Sequence, residues 1–254
     1  MTPFVHHGSV LRKIWGKGDT ILFIFAGAAA EFALNKAVDW LYFTGKLPKD
    51  PIGRLFSTVQ YARDIIYADE ASAHDTIDRI SSIHAAVEKG RKARIPDWAY
   101  RDVLYMLIHY SISAYEVLEQ RLTDAEKEDV YEVFLRMGTR MQIPALPENY
   151  RAWLPDRDRH MMEDLERSDY TDDLFVQYKK HLGSLRYKLL LEAQKMVVPQ
   201  QVAVKLGFKM PTSIRPLLSL YKLSRKAGLE WAAKSVLLPP RYLKQIRELD
   251  SISR

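Results

Sequence analysis

Apolar positions along the chain recur at the three- and four-residue intervals of a helix from one end to the other, and strict alternation over a strand's length is scarce. The pattern predicts helices from about Gly18 to Gly45, Ile52 to Tyr67, Ser72 to Gly90, Asp97 to Gln120, Ala125 to Gln142, Glu148 to Arg167, Asp172 to Val197, Thr212 to Val236 and Arg241 to Leu249. Ser72 with Asp75, and Thr123 with Glu126, have the spacing of a capping hydroxyl and its reciprocal carboxylate. Pro96 before Asp97 and the pair Pro239–Pro240 mark helix starts or breaks. The predicted architecture is all-α, a single-domain bundle of about eight helices spanning 1–254, with residues 1–17 and 241–254 at its periphery.

One polar residue interrupts an apolar stripe. In "SSIHAAVEKG", counting at helical spacing from His84 gives Ile77, Ile80 and Val87 on the same face, so the imidazole is expected to point inward on a helix that ends near Gly90. A buried neutral imidazole needs a partner, because orphaning a ring nitrogen costs about 1–3 kcal/mol. The residues alone leave two readings, a hydrogen-bonded core histidine or a metal or haem ligand. His109, in "YMLIHYSISAYEV", is a second histidine on an apolar helix, with Tyr105, Met106 and Ile112 beside it. It reads as core or as a pocket residue. His6, His7, His74, His160 and His181 stand among polar residues and are expected at the surface.

Composition narrows the chemistry. The chain has no cysteine, which removes disulfides, thiolate-bound zinc, iron–sulfur clusters and thiolate-ligated haem, and fits a cytoplasmic setting. The net charge of +6 is spread among acids, as in "RLTDAEKED", so no nucleic-acid face is expected. The C-terminal "RYLKQIRELD" has the make-up of a weak contact with an anionic membrane. The most apolar run, "ILFIFAGAAAEFAL", is too short to span a bilayer and carries Glu31, so it reads as a buried helix.

Upstream of His84 lies "KDPIGRLFST". Asp50 can cap the helix, Pro51 suits its first turn, and Arg54 and Thr58 then fall one turn apart on one face. Taken alone, such a pair is a surface arginine with a threonine bonded back to the backbone. The order of segments says more. "DPIGRLFST", then "IHAAV", then "LIHY", then "LTDAEKEDVYEVFLRMGTRMQIPALPENYRAWL" resembles the haem-dependent oxygenase family of latex clearing protein (rubber oxygenase) and the mycophenolic-acid-pathway oxygenase MpaB, over roughly residues 18–240.

That resemblance implies a b-type haem with His84 as axial ligand and metal-binding residue, and Arg54 and Thr58 as catalytic and haem-pocket residues. His109 joins the cofactor-binding set. The implied reaction is oxidation of a small or medium-sized apolar organic substrate by O2. Two departures stand out: Ser57 occupies the position of the rubber oxygenases' lysine, so no lysine ligand is expected, and Glu31 lies at the wrong separation from Arg54 for the family's acidic base. Other readings are a haem carrier or sensor without turnover and a haem-free helical interaction protein. A di-iron bundle is disfavoured because no histidine follows an acid by three residues. Oligomeric state and substrate identity are not encoded in these patterns.

Overall fold

A computed structural model describes residues 2–45 and 49–209, together with Pro216, Ser219, Tyr221 and Lys222. The helices expected over 212–236 and 241–249, and the "RYLKQIRELD" segment, lie outside the described residues or nearly so. Ten helices are described: α1 (Val10–Trp15), α2 (Gly18–Phe32), α3 (Val38–Phe43), α4 (Pro51–Ile66), α5 (Glu70–Arg91), α6 (Asp97–Leu118), α7 (Asp124–Arg140), α8 (Tyr150–Glu163), α9 (Asp169–Val197) and α10 (Gln200–Leu206). Among the described residues there is no strand, only the isolated bridges Pro3–Asp69 and Asn35–Leu165. The fold is all-α, and none of these helices is long and apolar enough to cross a membrane.

The core is built on α2, which is apolar nearly all round and is therefore covered on most sides, chiefly by α6 and α9. Gly27 lets α2 and α6 approach closely: a Cβ there would overlap the Tyr110 ring and come within 2.9 Å of Val197 Cγ2. Gly27→Ala should therefore overpack the α2–α6 seam and cost about 1–3 kcal/mol. Thermal unfolding should show this as a fall of several degrees in Tm; an unchanged Tm would mean that the seam yields freely.

Several boundaries follow the sequence. Asp50 Oδ1 accepts from Gly53 N at 3.0 Å with Pro51 in the first turn of α4, and Thr123 and Glu126 form a complete capping box on α7. Others differ. The cap of α5 is Asp69, which accepts from Ser72 N at 3.1 Å, and not Ser72. That helix runs through Gly90 and stops with Lys92 in the left-handed region, φ +56°. The run expected to be one helix from 18 to 45 breaks after Phe32, where Asn35 Oδ1 accepts from Ala37 N at 2.9 Å. In α9 the break falls at Gly183, whose φ of +75° and ψ of 165° separate two helical stretches.

Residues before α2 are not peripheral. Phe4, Val5, Leu11, Ile14 and Trp15 are buried in the main core. Trp15 Nε1 donates to Ser111 Oγ at 3.1 Å, and Phe4 N donates to the Ala68 carbonyl at 3.0 Å.

Candidate functional site

The capped first turn of α4 fixes the rotation of that helix, and α4 packs along α5. This pairing brings Arg54 toward His84, close enough that the guanidinium charge acts on the imidazole. The ring's pKa is lowered from its usual value, first by burial and then by Arg54, with Glu88 pulling the other way. His84 therefore stays neutral through physiological pH. Its ring stands edge-on to Tyr100 at the start of α6, with centroids 5.2 Å apart. Tyr100 is held by its hydroxyl, which donates to Glu88 Oε1 at 3.3 Å, and the same oxygen accepts from Ile95 N at 2.8 Å.

Two groups here have no side-chain partner among the described residues. Nδ1 of His84 is buried with no hydrogen-bond partner. Among the described residues, no hydrogen bond or ion pair engages the Arg54 side chain. An orphaned imidazole nitrogen near a guanidinium with no partner among the described residues is a donor set that suits an external ligand taking both a base and a cation.

Thr58 is placed one turn after Arg54, as expected, but its hydroxyl donates to the Arg54 carbonyl at 3.1 Å. Ser57 donates to the same carbonyl at 2.7 Å. Both hydroxyl protons are therefore spent on the backbone, and each oxygen is available only as an acceptor in this arrangement.

His109 belongs to a different set of contacts. Its ring bonds the Val197 carbonyl, stands edge-on to Tyr110 at 4.9 Å, and leaves Nε2 buried without a partner. Its pKa is pushed down to about 4, by burial foremost and then by the charge of Arg157. It lines a pocket of about 300 Å³ with Glu116, Lys127, Tyr150, Trp153 and Arg157. Among the described residues no interaction joins it to His84 or Arg54.

Behind His109, the charge of Glu31 is matched by Arg157 across the core, and Tyr110 Oη donates to Glu31 Oε2 at 2.8 Å. Glu31 and Arg157 are both buried. The acid in the apolar run is thus half of a core ion pair.

Sequence reasoning also missed His160. It is buried, 4% exposed, and not a surface group; its Nδ1 lies 3.0 Å from Asp102 Oδ1 and 2.6 Å from Asp164 Oδ2. His6 and His7 are exposed as expected, while His74 is half-buried edge-on to Phe4. Tyr100 carried no signal in the sequence, and Glu88 was missed too, although its place four residues after His84 puts it on the same helix face.

Residues 13–233 match the family described as "ER-bound oxygenase mpaB/B'/Rubber oxygenase, catalytic domain". The chain belongs to this family. No curated protein and no solved structure matches it. Membership in the mpaB/rubber oxygenase family makes the domain an oxygenase domain, and so an oxidoreductase by kinship, over most of its length.

Proposed function

We propose that the chain is a b-type haem-dependent oxygenase that uses O2 on a small or medium-sized apolar organic substrate, with His84 as the axial ligand. The observation that carries this reading is the buried, unpartnered Nδ1 of His84 beside the uncommitted Arg54. Family membership supplies the oxygenase chemistry, and the absence of cysteine leaves histidine as the natural iron ligand. Haem, when bound, supplies the redox chemistry toward O2 that none of the side chains can provide.

The residues of this chain do the rest. His84 presents a neutral ring, already deprotonated, so binding need not displace a proton. Tyr100, anchored through Glu88, packs against that ring and limits its rotation. Arg54 can hold a haem propionate through two parallel charge-assisted bonds. Thr58 and Ser57 offer acceptor oxygens, and position 57 carries no lysine that could bind the iron of a haem held there. Glu31 is withdrawn from any role as base by its bond to Arg157. A cytoplasmic location is part of the same reading, supported by the cysteine-free composition.

Arg54→Ala should weaken haem binding by about 10–100-fold, the loss of one or two charge-assisted hydrogen bonds. The stability of the haem-free protein should stay within about 0.5 kcal/mol of the parent, because the side chain holds no partner among the described residues. Arg54→Lys should restore only part of the affinity, since an ammonium cannot form the fork. Haem titration with a thermal melt of each variant checks both points, and a collapse of the melt would make Arg54 structural.

The pH dependence follows from the lowered His84 pKa. A free imidazole is half-protonated at about pH 6.5. In the folded protein the ring resists protonation there, so haem affinity should remain flat through that value. It should fall only as pH drops through the lower folded-state pKa. Equilibrium haem binding across pH 8 to 4 tests this; a loss centred at or above about 6.5 would contradict it.

A further inference from the structure

A second constellation lies where two loops meet. The turn after α2 pairs with the turn after α8: Glu166 N donates to the Leu34 carbonyl at 2.7 Å and Lys36 N to the Asp164 carbonyl at 3.0 Å. This brings Asn35 to Asp102 of α6, and His160 with Asp164 at the end of α8 against them. His160 Nδ1 faces two carboxylate oxygens at once, Asp102 Oδ1 at 3.0 Å and Asp164 Oδ2 at 2.6 Å. A ring nitrogen carries at most one hydrogen, so at most one of the two contacts can be a straight hydrogen bond. Asp102 Oδ1 is left buried, in a residue 1% exposed, with no hydrogen-bond partner.

We propose that Asp102 Oδ1, His160 Nδ1 and Asp164 Oδ2 form a site for one divalent transition-metal ion of the Zn²⁺ type, independent of His84. The three atoms all lie within 4.8 Å of one another. A tetrahedral Zn²⁺ ion with bonds of about 2.0–2.2 Å sets neighbouring donors about 3.3–3.6 Å apart, so the two pairs at the ring nitrogen, at 3.0 and 2.6 Å, would open by up to about an ångström to admit it. A cation in place of the single hydrogen engages both carboxylates and gives Asp102 Oδ1 a partner.

The surroundings supply part of what a metal-bound histidine needs. With Nδ1 on the ion, the neutral ring keeps its hydrogen on Nε2, which faces Asp156 Oδ2 at 3.8 Å, a carboxylate oxygen that a small shift would bring within bonding distance. Asn35 Nδ2 donates to Asp102 Oδ2 at 2.6 Å, which turns the other carboxylate oxygen toward His160. Arg157, whose charge reaches Asp102, is committed to Glu31 and does not neutralise the site. Asp164 retains 14% exposure, a path for the ion from solvent. A bound ion would tie α6, the end of α8 and the turn after α2 together.

The test uses the full-length protein as purified, freed of loosely held metal with a chelator, in a His6→Ala, His7→Ala background that removes the exposed histidine pair. Zn²⁺ alone should bind with one equivalent by calorimetry, and Asp164→Asn should weaken that binding by at least about tenfold. Zn²⁺ should raise the Tm of the parent and not that of the variant. A crystal soaked in Zn²⁺ should show an anomalous peak at the zinc edge between the three side chains, a readout that needs no variant to fold. Binding unchanged in Asp164→Asn, no binding, or an empty anomalous map at the cluster would overturn the proposal and make His160 a shared-proton clamp.

Discussion

His84→Ala should purify as a folded but colourless protein from haem-replete cells, with haem affinity reduced about 100-fold or more. The loss is large because the proposed iron bond has no substitute: Ser57 stands where a lysine could have served, and Thr58 is bonded to the backbone. The fold should survive because His84 lies on a half-exposed stretch of α5, between exposed Ile83 and Ala85, and gives up no internal hydrogen bond. Helical circular dichroism should be unchanged while the Soret absorbance disappears. Retention of the pigment in His84→Ala would assign the ligand elsewhere.

Glu31→Ala should destabilise the protein by about 3–5 kcal/mol, the cost of leaving a buried arginine without its counter-charge. Both partners are buried, Tyr110 loses its acceptor in the same stroke, and α2, α6 and α8 all meet at this point. Chemical denaturation should show a lower midpoint with an unchanged slope. The double substitution Glu31→Leu, Arg157→Met should recover much of the loss, since replacing a whole buried pair with apolar side chains is often neutral. A single variant within about 0.5 kcal/mol of the parent would show that the pair adds nothing.

The helices were legible because their signals are local. Asp50 and Pro51 at α4, and Thr123 with Glu126 at α7, announce themselves within four residues, and the structure keeps them. His84 was legible through the stripe it interrupts, although it sits on the half-exposed part of α5 and not at the centre of the core. What failed was long-range. Nothing near Glu31 in sequence reveals Arg157, and nothing near His160 reveals Asp102. The acids four residues to either side of His160, Asp156 and Asp164, were nevertheless a readable sign that it was not an ordinary surface histidine.

The break after Phe32 has a similar cause. Apolar periodicity continues through 33–43, and only the Asn35 side chain, bonded to Ala37 N and to Asp102, shows why the helix stops. The short helices α1 and α10 are too brief to register as periodic patterns, yet Leu11, Ile14 and Trp15 belong to the main core.

The absorption spectrum of the purified protein, recorded as isolated, then reduced, then reduced under carbon monoxide, bears most directly on the central claim. Histidine-ligated haem with an open second axial position predicts a Soret band that moves on reduction and moves again with carbon monoxide. A protein from haem-supplemented cells with no Soret band, or one whose reduced spectrum ignores carbon monoxide, would contradict it.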